Sequence, residues 1–143
     1  MICLDVNVLV NAHRLDAPDH HDYADLLVEL ANGSEPVGLA DIVLSGFLRV
    51  VTNRRIFKVP TPTDVAIQSV SRLIDSPAGM LLRSGERHWS IFIELANAMN
   101  ARGNDVPDAY IAAYAIENNA TLLSADRGFA RFDRLRWRHP LAG

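Results

Sequence analysis

The chain has 143 residues, 49% of them hydrophobic, and a formal net charge of −3 from 17 acidic and 14 basic side chains. That length suits one compact domain spanning residues 1–143 and excludes two ordinary ones. The hydrophobic share excludes a disordered chain. The mild acidity excludes a strongly basic nucleic-acid coat, but not an enzyme that meets a phosphodiester through metal ions.

No apolar run approaches the length of a membrane span. The N-terminus has no basic stretch ahead of its apolar segment, so no signal peptide is expected. Cys3 is the only cysteine, too few for an internal disulfide, and it reads as a small buried hydrophobe. A reducing, cytoplasmic location is the expectation.

In chain order, Met1 to Leu4 is a short apolar run that reads as a strand buried on both faces. Asp5 ends it. A carboxylate there is costly unless a cation or hydrogen-bond donors meet it. The carboxyl edge of a buried parallel strand is also where open α/β sheets bind ligands. The alternative is that Asp5 caps a turn or the helix that follows. His13 to Asp22 is polar and reads as a loop or an irregular helix start. Tyr23 to Ala31 carries leucines at helical spacing, with Asn32-Gly33 as its stop. Residues 37–40 form a second strand, and Asp41 stands at a natural cap or first-turn position. Residues 42–52 read as a helix with Gly46 inside it, which costs roughly 1 kcal/mol against Ala and points to close packing or another constraint.

Residues 53–58 are a basic patch holding Arg54, Arg55 and the only lysine, Lys58. Thr63-Asp64 opens an amphipathic helix ended by Ser76-Pro77, and Met80 to Leu82 is a weak strand. Residues 87–100 form a helix with Trp89, Phe92, Ile93, Leu95, Ala96 and Met99 expected inward and His88 expected at the surface. Asp105 to Asn118 is apolar nearly all round, the mark of a buried helix. Thr121 to Leu123 is a strand, Asp126-Arg-Gly follows, and Leu135 to Trp137 is an edge strand. Strands alternating with helices predict a central, mainly parallel sheet in an α/β fold.

Four acids hold comparable places: Asp5, Asp41, Asp108 and Asp126. If the strands are neighbours, all four face one crevice at the carboxyl edge of the sheet. Clustered carboxylates raise one another's pKa, and a divalent cation removes the conflict. Oxygen-only ligands favour Mg²⁺ or Mn²⁺ over zinc. Local roles compete with this reading. Asp41 can be a cap, Asp105 and Asp108 the cap and third residue of a helix start, and Asp126 an Asx-turn. Asn7 can orient Asp5. His13, His20 and His21 match no metal spacing and read as loop histidines.

Asp-Val-Asn-Val-Leu-Val-Asn-Ala-His-Arg at 5–14, Phe-Leu-Arg-Val-Val-Thr-Asn at 47–53, Val-Pro-Asp-Ala-Tyr-Ile-Ala-Ala at 106–113 and Ser-Ala-Asp-Arg-Gly-Phe at 124–129 together resemble a PIN domain. The likeness is nearest to the mycobacterial-type group of VapC toxins, whose ending Arg-Trp-Arg-His-Pro-Leu is also similar. It covers nearly the whole chain, and four weak motifs in the right order make a specific signal. The resemblance implies a three-layer α/β/α PIN-like fold. It also implies a Mg²⁺- or Mn²⁺-dependent endoribonuclease that pairs as a homodimer and is held inactive by a VapB-like antitoxin.

The family's first metal-binding acid falls on Asp5, its third on Asp108 and its fourth, supporting, on Asp126. The place of its second acid is Gly46, a departure, and Asp41 substitutes only if the start of its helix faces the site. Arg49, Arg54 and Arg55, with Arg127, Arg131, Arg134, Arg136 and Arg138, are candidates for RNA or antitoxin contact. The competing reading is a PIN-shaped RNA- or protein-binding module without catalysis, which Gly46 favours and the three retained acids disfavour.

Overall fold

A computed structural model describes residues 1–142. Gly143, which the single-domain expectation includes, lies outside the described residues. Five strands form one sheet in the order β3-β2-β1-β4-β5: β1 (Ile2–Leu4), β2 (Val37–Ala40), β3 (Gly79–Leu82), β4 (Thr121–Leu123) and β5 (Arg136–Arg138). Every pairing is parallel. The helices are α1 (Val6–His13), α2 (His20–Ala31), α3 (Asp41–Val51), α4 (Thr63–Ile74), α5 (His88–Ala98) and α6 (Asp105–Glu117), and residues 127–131 form a 3-10 turn. They pack as two groups, α1 with α2 and α3, α3 with α4, and α5 with α6.

The central strand is the first in sequence. Ile2, Cys3 and Leu4 are buried because β1 has a neighbour on each edge and helices over it, which is why it reads as an unbroken apolar run. Leu4 pairs with Leu123, and the Asp5 amide donates to the Leu123 carbonyl at 3.0 Å. The ladder therefore continues one residue further and sets Asp5 beside Ser124. On α6, Ala109, Ala112, Ala113 and Ala115 are fully buried. Small side chains let this helix lie close to its neighbours, so it is apolar without a single apolar stripe.

Two expectations fail on particular residues. The helix expected from Tyr23 begins earlier, as α2 at His20, while the residues after Asp5 form α1, the helix that the capping alternative allowed. On α5 the first two positions are reversed. His88 is 2% exposed and Trp89 is 64% exposed, with Ile93 also exposed. The His88 ring is hydrogen-bonded through Nε2 to the Tyr110 carbonyl at 2.9 Å and meets the Tyr110 and Tyr114 rings at 4.4 Å each. A buried imidazole with a backbone partner and two aromatic neighbours takes the inward position, and the indole is left at the rim.

Candidate active site

Asp5 is the N-cap of α1, so its capping role and its place at the strand end coexist. Its Oδ1 accepts from the Val6 amide at 2.7 Å. Its Oδ2 accepts from the Ser124 hydroxyl at 2.7 Å and from Asn7 Nδ2 at 3.2 Å. Asn7 does orient Asp5, and it does more. Its Nδ2 also donates to Ser124 Oγ at 3.1 Å, and its Oδ1 accepts from the Ala125 amide at 3.0 Å. Ser124 Oγ in turn accepts from the Asp126 amide at 3.0 Å. This mesh fastens the β1–α1 junction to the chain leaving β4. Ser124 is fully buried, and sequence reasoning gave it no role; its position just past an apolar strand was the one local signal.

Asp126 caps the 3-10 turn, its Oδ1 accepting from the Gly128 amide at 2.8 Å, so the Asx-turn reading holds for its side chain. Asp108 lies half-buried in the first turn of α6. Arg131 binds both it and Asp105: Nη2 is 3.0 Å from Asp108 Oδ2 and 3.1 Å from Asp105 Oδ1. The N-cap of α6 is Asn104, not Asp105.

The electrostatics tie these groups together. Burial pushes the Asp5 carboxyl above the usual carboxylate range; the Ser124 and Val6 donors oppose this, and the charges of Asp108 and Asp126 add to it. Asp108 is raised first by burial, against the pull of Arg131, with Asp126 and Asp105 raising it further. Asp5, 6% exposed, is met by neutral donors. The candidate ligands, the carboxylates of Asp5, Asp108 and Asp126, offer only oxygen, which suits a hard divalent cation. Among the described residues, however, no three acidic, histidine or cysteine side chains are gathered into a ready-made cage. The three acids share a field without sharing a ligand position.

Asp41 is engaged elsewhere. Its Oδ1 accepts from the Tyr114 hydroxyl at 2.7 Å and from the Ile42 amide at 2.8 Å. It lines an open pocket of about 380 Å³ with Ser45, Ser84 and Tyr110. Gly46 has a steric reason. A Cβ built there would lie 2.9 Å from Val6 Cγ2, closer than real carbons pack. The bare backbone lets α3 close against α1, and the contact with Val6 puts position 46 next to the residue after Asp5. Of the arginines, Arg49, Arg54 and Arg55 are exposed, whereas Arg131, Arg134 and Arg136 make internal bonds, Arg134 to Glu94 and Arg136 to the Asn119 carbonyl.

A PIN domain family model matches residues 2–135. The chain belongs to the PIN-domain family. Among its relatives, "VapC ribonuclease Mb2897" of Mycobacterium bovis is 63% identical over 143 residues, covering 100% of this chain and 97% of that protein. "Ribonuclease VapC31" of Mycobacterium tuberculosis is 36% identical over 140 residues, covering 98% of this chain and 99% of that one. These full-length likenesses put the chain in the VapC group of PIN proteins. Among solved structures, VapBC2 from Rickettsia felis, bound to a DNA fragment from its promoter, superposes with a TM-score of 0.73 at 23% identity, covering 97% of this chain and 98% of that one, which bears on the fold.

Proposed function

We propose that this PIN protein is a metal-dependent endoribonuclease, the toxin of a VapBC-type toxin–antitoxin pair. The relatives' names supply the activity class. The observation that carries it to this chain is Asp5: a buried carboxylate at the end of the central strand, held by neutral donors, in the field of two further acids. Such a group is a poor structural element and a good cation ligand. Asp5 and Asp108 would hold Mg²⁺ or Mn²⁺ with Asp126 in support. The bound ion supplies Lewis-acid activation of the phosphodiester and of water.

The chain's own residues do the positioning. Ser124 and Asn7 fix the direction of the Asp5 carboxylate. Asp126 stiffens the turn that carries Arg131. Arg49, Arg54 and Arg55, with Arg127 and Arg138, are exposed cations available to RNA phosphates. An apolar cavity of about 230 Å³ between α1, α2, α3 and α4, lined by Leu9, Leu27, Phe47, Val70 and Leu73, fits the apolar face of an antitoxin helix. A homodimer belongs to the same proposal, and light scattering that finds only monomer at micromolar concentration removes it.

The test is cut-site mapping on total cellular RNA with purified protein and Mg²⁺, beside the Asp5→Asn variant and an EDTA control. Discrete cuts that vanish with Asp5→Asn and with EDTA are expected. A folded Asp5→Asn protein that cuts at full rate overturns the assignment. The observation that favours the non-catalytic reading is Asp108, already engaged by Arg131; RNA binding without any cleavage across a Mn²⁺ titration would support it.

A further inference from the structure

Arg131 is held more firmly than a surface arginine needs to be. Its Nη2 bridges Asp105 and Asp108, its Nη1 donates to the Gly128 carbonyl, and its guanidinium lies 4.8 Å from the centre of the Phe132 ring, a side chain in the core. It therefore closes the α6 start onto the turn that begins at Asp126. It is also the cation placed against Asp108, the acid whose charge is felt at the buried Asp5.

We infer that Arg131 is a built-in counter-cation on Asp108 that competes with a divalent ion for this carboxylate. The inference rests on the proposed metal-dependent chemistry and concerns how the chain controls access to that ion. Two observations join to support it. The acids share a field but form no ready-made cage among the described residues. The oxygen of Asp108 that faces Arg131 is engaged in a charge-assisted bond. A divalent ion drawn to Asp108 meets a fixed positive charge on Oδ2 of the same carboxylate, which opposes its binding for as long as the guanidinium stays there. Released from Asp108, Arg131 still has its Gly128 and Phe132 contacts and stays at the rim of the site. A guanidinium that leaves both acids also uncovers Asp105, a further oxygen donor at the start of α6.

The test is Mn²⁺ binding to the purified full chain without RNA, by calorimetry or by loss of the free-ion paramagnetic signal. Wild type is compared with Arg131→Gln, Arg131→Lys and the double variant Arg131→Gln with Asp108→Asn. Arg131→Gln is expected to bind Mn²⁺ about tenfold tighter, within the range by which groups around a metal site tune affinity. Arg131→Lys, which keeps the charge, should stay near wild type, and the double variant should lose the gain. Thermal melting should show Arg131→Gln less stable without metal and rescued further by Mn²⁺ than wild type is. A purely structural staple predicts the fall in stability alone. Equal or weaker Mn²⁺ binding by Arg131→Gln overturns the inference while leaving the ribonuclease reading intact. Tighter binding with no RNA cleavage by any variant does the reverse.

Discussion

Ser124→Ala isolates the role of the mesh around Asp5. The substitution removes a fully buried hydroxyl that donates to Asp5 and accepts from Asn7 and from the Asp126 amide. A hydrogen bond to an ionised group contributes about 1.5–3 kcal/mol, and a stranded donor costs about 1 kcal/mol or more. The expected loss at neutral pH is about 3 kcal/mol, or roughly 6–10 °C in melting temperature for a chain of this size.

The loss should depend on pH. Burial and the neighbouring acids already raise Asp5, and Ser124 is the largest opposing influence. Between the ordinary carboxylate pKa and the raised one, the folded protein holds more protons than the unfolded chain, so stability falls as pH rises through that window. Removing Ser124 moves the upper edge of the window higher, and the extra cost is present only where Asp5 is ionised. Where the raised Asp5 carboxyl is protonated, the hydroxyl loses only a bond to a neutral group, worth about 1 kcal/mol, so the cost of the substitution shrinks as pH falls. Urea unfolding at pH 4 and pH 7.5, followed by circular dichroism and tryptophan fluorescence, reads the difference. Trp137 is a local reporter, because its Nε1 donates to the Ser124 carbonyl at 3.0 Å. An equal destabilisation at both pH values, or one below about 1 kcal/mol at neutral pH, would refute the reasoning.

Three further outcomes follow from the packing. Gly46→Glu, which would restore an acid at the family's second position, should destabilise the protein by about 1–3 kcal/mol, because its Cβ meets Val6. Adding Val6→Ala should recover part of that loss in the same melting experiment; no recovery would place the clash elsewhere. His88→Ala should cost about 3 kcal/mol through a lost buried ring and a stranded carbonyl. Trp89→Ala, its exposed neighbour, should stay within about 0.5 kcal/mol, and a large effect would mean that its indole is covered in solution.

The chain by itself determined most of the order of elements and the place of Asp5 at a strand end. A charge that ends an apolar run marks a strand edge, periodicity finds α3, α4 and α5, and an all-round apolar run finds α6. It did not determine which of two adjacent aromatic residues at a helix start turns inward, since helical spacing tolerates either; a backbone carbonyl on α6 decided for His88. It marked Gly46 as a departure from the resemblance, and only the approach of α1 to α3 showed that a Cβ there would press on the Val6 side chain. Ser124 and Arg131 were the least legible. One meets Asp5 across 119 residues and the other meets Asp108 across 23. Such partners are chosen by which strands lie side by side, and the parallel crossovers that set β4 next to β1 leave no trace in local pattern.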